Sequence, residues 1–436
     1  AWFDASGMRN DSMPKDRSGI SPRVGLVWDV QNRGEWVLTG GGGLYQGRLD
    51  MALMSETILF DGRTTIRRGI GDYDFWPTRP DNLLAPSVGP RLAMFNSSYK
   101  APRAFKGGAG ISRAWPNGIA LRIDGLYSHT DYLQQRTDIN RVAQPLGKTQ
   151  EGRAVFGTLV KQGGLLTPQP TSNRRFADFD LVSGFSPTGY SDYSEVTLSL
   201  ERTALLGLNL HLAYTFSHTE DNVLGARMMD PADQLNPFPD DQAAVSWAQG
   251  VSDFDVPHRV VASAEYRGGG RTAISLGARL RYRSGLPFTP GFRPGVDING
   301  DGAGNNDPGY LDGSISGLST ALSAAGCSQA AVNGFLQRNS CREEAVTALD
   351  LRFQIGLPAR FSDGSHLSLV VDAFNVAGSA LGVVDRALVL VDPSRPLTSG
   401  PSGLVNVPLI ANPNFGKLLS RRADPRMIRV GVRMEY

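Results

Sequence analysis

The chain has 436 residues, of which 41% are hydrophobic, 20% are charged, 51 are glycine and 27 are proline, a composition that favours many strands joined by many turns. Its 44 basic and 42 acidic residues leave a formal charge of +2, which gives no reason to expect nucleic acid as a partner. No run of about 18 apolar residues occurs, so a transmembrane helix is not expected, whereas the strands of a membrane barrel need apolar side chains only at every second position.

Alternation of apolar and polar residues with a period of two recurs along the whole chain. The stretch LNLHLAYTFS places Leu208, Leu210 and Leu212 on one face and Asn209 and His211 on the other. Such stretches are close to the roughly 9 to 11 residues of a tilted membrane strand, so we predict about eleven strands in an all-β, antiparallel transmembrane barrel. They lie near residues 21–30, 35–46, 103–113, 118–130, 191–202, 208–217, 257–267, 271–284, 347–359, 366–377 and 426–436.

The connections between the predicted strands alternate between tight turns and long links. VQNRG, AWPNG, TALLG, RGGG and FSDGS are tight turns, while the intervening links run to several tens of residues. Short turns at one end and long loops at the other are typical of an outer-membrane barrel, with the turns in the periplasm and the loops outside. A soluble β-sandwich or propeller is the alternative, but it would rarely place three arginines in register on one face and make its loops long on one side only.

Side chains on the polar faces of the strands are weak candidates for ligand contacts. Arg279 and Arg281 would face an aqueous interior, where they could touch an anionic ligand or simply solvate the wall. Three aromatic residues in a long link, Tyr73, Phe75 and Trp76, could stack on a sugar or an aromatic solute, or could pack the loop onto the barrel rim.

The stretch DINGDGAGNND, residues 297–307, reproduces the first half of a calcium loop of the pattern D-x-[DN]-x-[DN]-G. Pro308 stands where the usual glutamate would be, so the last oxygen must come from elsewhere, and the alternative is that these residues serve only as turn formers. If calcium binds, we expect it to fix a loop on the external side and not to be cargo. The candidate oxygen donors are Asp297, Asn299, Asp301, Ala303 through its backbone carbonyl, Asn305 and Asp307.

The two cysteines, Cys327 and Cys341, are expected to form a disulfide in an oxidising compartment. Their bond would close a loop of about 15 residues and would stabilise the fold by roughly 3 kcal/mol in the chain-entropy description. The alternative is two unrelated thiols.

No catalytic motif is visible in the sequence. There is no G-x-S-x-G, no H-E-x-x-H and no P-loop, and the five histidines are scattered without ligand spacing. We therefore expect no enzymatic activity and no cofactor other than the calcium ion. An outer-membrane hydrolase is the weaker alternative, beside an adhesin, a scaffold or a passive porin-like barrel.

Several short stretches follow one another in a characteristic order: ISPRVGLVWDV, VLTGGGGLYQG, SDYSEVTLSLERTALLGLNLHLAYTFSHTEDN, FDVPHRVVASAEYR, RYRSGLPFTP, DINGDGAGNND and LSLVVDAFNVAG. As a set they resemble the C-terminal barrel region of TonB-dependent outer-membrane receptors of the Oar-like group. The resemblance implies a bacterial outer-membrane barrel of about 22 strands, an N-terminal plug domain, and ligand uptake energised by the TonB complex of the inner membrane. Val432, Met434 and Tyr436 resemble the signal read by the barrel assembly machinery, the alternative being an ordinary strand end.

The chain departs from that pattern in one respect. It begins AWFDASGMRN, and neither a signal peptide, a plug nor a TonB-contacting box precedes the first predicted strand. An odd number of strands with two free edges cannot sit in lipid, where every backbone N–H and C=O must be paired. We therefore interpret residues 1–436 as the C-terminal half of a receptor barrel, or as one chain of a split receptor, with membrane lipid, the other barrel half and the plug as its partners. The alternative is that extra strands in the loops, such as ALVLV at 387–391, close a smaller barrel.

Overall fold

The computed structural model describes residues 7–10, 14–48, 50–66, 89–205, 207–225, 234–238, 247–269, 273–311, 315–360, 366–378, 380–423 and 425–435. Eleven long strands in these ranges form one antiparallel sheet in which each strand pairs with the next along the chain. This order is expected where the chain reverses direction after every strand. The strands are β1 (Arg23–Asp29), β2 (Trp36–Gln46), β3 (Arg103–Ala114), β4 (Ile119–Asp138), β5 (Val182–Leu205), β6 (Leu208–Asp221), β7 (His258–Gly268), β8 (Ile274–Arg283), β9 (Val346–Arg360), β10 (His366–Phe374) and β11 (Met427–Glu435).

The eleven strands predicted from alternation are all present, which confirms that prediction. Three of them are clearly longer than predicted, since β4 reaches Asp138, β5 starts at Val182 and β6 reaches Asp221. Their extensions keep pairing, with Ser183 opposite Asp138 and a register shift between Ser186 and Gly189. Val182 and Phe185 of the β5 extension are buried in small hydrophobic clusters with residues of the strand Pro90–Asn96, so packing between distant segments continues β5 where local alternation does not indicate a strand.

Short and long connections alternate along the sheet, as predicted. The short connections are residues 30–35, 115–118, 206–207, 269–273 and 361–365. The long connections are residues 47–102, 139–181, 222–257, 284–345 and 375–426. Because neighbouring strands run in opposite directions, the short connections lie at one end of the sheet and the long ones at the other.

The cross-strand register gives the sheet one apolar face. Leu200 of β5 lies opposite Leu212 of β6, and Leu280 of β8 lies opposite Leu349 of β9. Leu200 and Leu212 are 40% and 43% exposed, and Leu280 and Leu349 are half-buried. A continuous exposed apolar surface is unusual on a protein in water and is typical of a sheet that contacts lipid.

The remaining secondary structure lies in the long connections, except for Met8–Arg9, which precedes β1. Helix α1 (Met51–Leu59) begins after Asp50, whose Oδ1 accepts a hydrogen bond of 2.8 Å from the backbone N–H of Ala52, and helix α2 (Leu318–Ala324) lies in the connection 284–345. Across the described ranges, no helix is long and apolar enough to cross a membrane. The short strands are Met8–Arg9, Asp61–Ile66, Pro90–Asn96, Gly147–Thr149, Ala154–Val155, Leu159–Gln162, Leu165–Pro168, Gly250–Val251, Pro287–Phe288, Gly291–Phe292, Ala331–Val332, Phe335–Leu336, Cys341–Arg342, Ala380–Val384, Ala387–Val391, Thr398–Ser399, Leu404–Asn406, Leu409–Ala411 and Leu418–Ala423, with a 3-10 turn at Pro401–Gly403.

Three of the long connections fold together into one unit, which we call the loop cap: the described residues of 139–181, 284–345 and 375–426. The loop cap has its own hydrophobic core, to which each connection contributes. Leu166, Ile298 and Leu388, one from each connection, are completely buried in it. The long links are therefore a folded layer above one end of the sheet, a feature that the sequence analysis did not predict.

The segment ALVLV belongs to the loop cap. Ala387–Val391 pairs with Gly291–Phe292 and with Leu409–Ala411 in a separate three-stranded sheet, and it does not join the main sheet. The alternative in which this segment helps to close a smaller barrel is therefore wrong. Among the described strands, β1 pairs only with β2 and β11 only with β10, so the main sheet has two open edges.

Candidate functional site

The polar face of the main sheet carries a set of arginines on neighbouring strands. Arg279 of β8 lies opposite Asp350 of β9, and Arg281 Nη2 is 3.2 Å from Asp350 Oδ2. Arg259 of β7 lies directly opposite Arg283 of β8. Like charges in directly opposite positions repel each other, so an anion in contact with these two arginines would stabilise this part of the polar face.

Other predicted site residues are less informative. Tyr73, Phe75 and Trp76 lie outside the described residues, as does Tyr436. Val432 and Met434 lie on the apolar face of β11 and are 64% and 39% exposed, so their side chains are available to lipid or to an assembly factor. These positions stay predictions.

The disulfide joins Cys327 to Cys341, whose Cα atoms are 4.4 Å apart. Cys341 is almost completely buried and belongs to the core of the loop cap, and Cys327 packs against it. The bond therefore ties helix α2 and the residues after it to the same core.

The acidic loop, residues 297–307, lies inside the loop cap. Asp297, Asn299 and Asp301 are 3%, 0% and 1% exposed. The backbone N–H of Asp297 donates to the carbonyl of Leu166 (2.8 Å), and the carbonyl of Asn299 accepts from the N–H of Phe156 (2.7 Å). The connection 139–181 therefore holds the acidic loop in place through main-chain hydrogen bonds.

The geometry inside the acidic loop is that of a tight turn around its own carboxylates. Asp297 Oδ2 accepts from the N–H of Gly302 (2.7 Å), and Asp297 Oδ1 accepts from the N–H of Asp301 (3.1 Å). Gly302 has a φ of +98°, a left-handed conformation that glycine adopts without strain. Asp301 Oδ1 accepts from the N–H of Ala303 (2.8 Å). Ala303 is buried, while Asn305, another candidate donor, is exposed.

The third carboxylate of the acidic loop has a cationic partner. Arg153 Nη1 is 3.0 Å from Asp307 Oδ1, and Arg153 Nε is 2.9 Å from Glu151 Oε1. The Arg153 side chain is completely buried, and it is a site residue that the sequence analysis missed, because it comes from a different connection. One guanidinium thus forms ion pairs with two carboxylates.

Burial raises the pKa of all three carboxyl groups of the acidic loop. The pKa of Asp307 is raised to about 7, although the charge of Arg153 opposes the shift. Burial, followed by the charges of Asp301 and Asp307, raises the pKa of Asp297 well above its usual range, and burial also raises the pKa of Asp301. The dry surroundings of the acidic loop therefore disfavour the charged forms of its carboxyl groups, although the charges of Arg153 and Arg141 oppose the shifts of Asp307 and Asp301.

The kinds of donor in the acidic loop suit a hard cation, since they are all oxygens. In the part of the chain that the structure describes, no three side chains of His, Cys, Asp or Glu converge to form a metal site by themselves. A cation here would also need amide or carbonyl oxygens, as the predicted set with Asn299 and Ala303 assumes.

Two cavities adjoin the acidic loop. One, of about 530 Å³, is lined by Arg136, Asp138 and Asp301, and the other, of about 550 Å³, is lined by Trp247 and Asp307. Both volumes lie in the range of about 300 to 1,000 Å³ that is usual for small-molecule sites. The sequence gives no signal for them, because their walls come from several separate connections.

A family model described as "Outer membrane beta barrel domain" matches residues 3–380. No curated protein sequence matches the chain. The outer membrane transporter YddB from Escherichia coli is similar in structure, with a TM-score of 0.49 and 12% identity, over 90% of this chain and 39% of that one. The FrpB iron transporter from Neisseria meningitidis has a TM-score of 0.42 and 12% identity over 95% and 39%. BauA, the ferric preacinetobactin receptor from Acinetobacter baumannii, has a TM-score of 0.38 and 8% identity over 94% and 36%, so the chain spans about two fifths of the length of these proteins.

Proposed function

Because the chain belongs to the outer membrane β-barrel domain family and lies in the bacterial outer membrane, we propose that it forms part of a TonB-dependent receptor that takes up a ligand through its lumen. The observation that carries this proposal is the two-sided sheet. One face is an exposed apolar surface suited to lipid, and the other bears arginines, including the opposed pair Arg259 and Arg283, suited to an aqueous path. The order of sequence stretches supports the Oar-like group in particular.

The open edges of the sheet support the proposed partners. In lipid, the unpaired N–H and C=O groups along β1 and β11 would each cost several kcal/mol. We therefore propose that residues 1–436 are barrel wall and loops, and that further strands complete a barrel of about 22. A plug domain would then fill the lumen and contact the TonB complex, and the barrel assembly machinery would insert the complete barrel into the outer membrane.

The loop cap supports capture of a ligand before uptake. By the usual orientation of outer-membrane barrels, the long connections face the exterior, where solutes arrive. The cavities beside Asp301 and Asp307 offer partly open space at that position. A passive porin would instead need an open path, so the cap favours a receptor over a pore.

Two measurements test the proposal. Cells with the full-length receptor are grown with and without a functional TonB complex, and mass spectrometry identifies solutes that disappear from the medium only when both are present. The purified receptor is also placed in planar lipid bilayers. A receptor with a plug should conduct little, whereas a large steady conductance together with TonB-independent uptake would favour the passive barrel, and hydrolysis of lipid or peptide would favour an enzyme.

A further inference from the structure

We propose that the acidic loop binds one calcium ion and that this ion locks three extracellular connections of the protein to one another. The proposal concerns the loop cap and the adjoining connection 222–257, so it does not depend on which ligand is taken up or on whether uptake needs TonB.

The first support is the placement of oxygens along the acidic loop. Asp297, Asn299 and Asp301 occupy alternate positions, and each is almost completely buried. The turn at Gly302, with its φ of +98°, stands where calcium loops of this pattern need a glycine. The oxygens of this segment are therefore held together in a dry interior and are not spread over a solvated turn.

The second support is the shortage of positive charge. Within the described residues, Asp297 and Asp301 accept hydrogen bonds from backbone N–H groups and from amides, and neither forms a salt bridge. Arg153 is shared between Asp307 and Glu151. Buried carboxylates without a counter-charge are costly, and a divalent cation would remove that cost.

A second guanidinium beside the acidic loop, that of Arg174, is already engaged. A Cβ on Gly302 would lie 2.8 Å from Arg174 Nη2, so Arg174 adjoins the acidic loop. Its two terminal nitrogens, however, contact Asp138 (2.6 Å) and Asp180 (2.8 Å), and Arg91 also pairs with Asp180 (3.2 Å). These two arginines balance two aspartates, and the charge of Arg141 also acts on Asp301, so the buried carboxylate that most lacks a counter-charge is Asp297.

The third support is independent of the carboxylates and comes from two amide side chains. Asn173 is 3% exposed, its Nδ2 has no hydrogen-bond partner, and a Cβ on Gly302 would lie 3.2 Å from that nitrogen. Asn306 donates from Nδ2 to Asp301 Oδ2 (3.3 Å), while its buried Oδ1 has no partner. An amide presents either oxygen or nitrogen after a half turn of the side chain, so both groups can supply an oxygen to an ion at the acidic loop.

The donor chemistry selects calcium. Carboxylate, amide and carbonyl oxygens suit a hard cation, whereas zinc would recruit thiolate or imidazole. Calcium accepts six to eight such oxygens in a flexible arrangement, so the missing glutamate at Pro308 can be replaced by an amide or by water. Magnesium would require a stricter octahedron and would retain more of its water.

The role of the ion follows from what the acidic loop touches. Asn299 pairs with Phe156 of the connection 139–181, and its Nδ2 donates to the carbonyl of Pro237 (3.1 Å) in the connection 222–257. Asn306 Nδ2 donates to the carbonyl of Leu235 (3.3 Å) in the same connection. An ion that fixes Asn299 and Asn306 would therefore order all three connections at once and set the walls of both cavities.

The test uses the purified full-length receptor in detergent after treatment with a calcium chelator. Calcium is titrated back, binding is followed by calorimetry and by terbium luminescence, and protease cleavage of the connections 139–181 and 222–257 is measured. We expect a dissociation constant of about 10⁻⁴ to 10⁻³ M and slower cleavage of both connections when calcium is bound. Absence of binding and unchanged cleavage up to several millimolar calcium would overturn the proposal.

Two variants separate a metal site from a merely structural turn. Asp297→Asn should weaken calcium binding at least tenfold, yet without calcium it should be cleaved more slowly than the wild type, because it removes a buried charge. Asp392→Asn, which changes a carboxylate elsewhere in the loop cap, should bind calcium as the wild type does. If Asp297→Asn is cleaved faster than the wild type with and without calcium alike, the aspartate is only a turn former and the proposal fails.

Discussion

Asp372 of β10 accepts a hydrogen bond from Arg429 of β11, with 2.7 Å between Nη2 and Oδ2. The same carboxylate accepts from Nε of Arg352 on β9, also at 2.7 Å. One carboxylate thus neutralises arginines of both neighbouring strands on the polar face.

Replacing this carboxylate should loosen the edge of the sheet. In Asp372→Asn, Arg352 and Arg429 would face each other without a counter-charge, and we expect the free energy of unfolding to fall by about 1 kcal/mol, since both arginines are half exposed and solvent screens them. The temperature at which the folded receptor loses its compact migration on a gel measures the change. Arg267→Gln, which removes an exposed pair with Glu265, should leave that temperature unaltered, and equal shifts in both variants would contradict the prediction.

An added charge should destabilise the protein on one face of β6 and be tolerated on the other. Leu212→Arg places a cation on the apolar face near the middle of the strand and should cost about 2 to 4 kcal/mol, so less protein is recovered from the outer membrane. Ala213→Arg, one residue along, places the same charge on the polar face and should be inserted normally. Equal recovery of the two variants would show that the apolar face does not meet lipid.

Removal of the disulfide should affect the loop cap and spare the sheet. With Cys327→Ala and Cys341→Ala together, the loop cap should lose roughly 3 kcal/mol of stability, because the bond closes a loop between residues 14 apart. Protease should then cleave the connection 284–345 faster, while the compact migration of the sheet on a gel stays the same. If the temperature of the gel transition falls as much as the lost stability of the loop cap predicts, the sheet and the loop cap unfold together.

The junction between β8 and the loop cap leaves no room for a side chain. A Cβ on Gly285 would lie 1.7 Å from the carbonyl oxygen of Glu343, so Gly285→Ala should displace the backbone and destabilise the loop cap by more than about 3 kcal/mol. Gly431 of β11 has open space around it, and Gly431→Ala should change stability by less than about 0.5 kcal/mol. Comparing protease resistance of the cap in the two variants checks this, and similar resistance would refute the steric argument.

The sequence predicts the strands well because alternation is a local property. Each strand carries its own two faces, so residues such as Leu208, Leu210 and Leu212 indicate a strand without knowledge of its neighbours. The core of the loop cap cannot be predicted in that way, since Leu166, Ile298 and Leu388 come from three distant connections and meet only in the folded protein.

The acidic loop shows the same difference between local features, which the sequence predicts, and long-range contacts, which it does not. Its motif predicts oxygens at Asp297, Asn299 and Asp301, which are local, but it predicts neither their burial nor the partner Arg153, which lies far away in sequence. The shortage of positive charge becomes visible only when all these groups are placed together.

The shared core of the loop cap restricts how the outer surface can vary. Three connections each supply part of one interior, so a change of length or sequence in any one of them leaves a cavity or a clash in the other two. Grafting a single loop from a related receptor should therefore fail, and exchange of all three together should succeed. Diversification of this surface must then be concerted and not loop by loop.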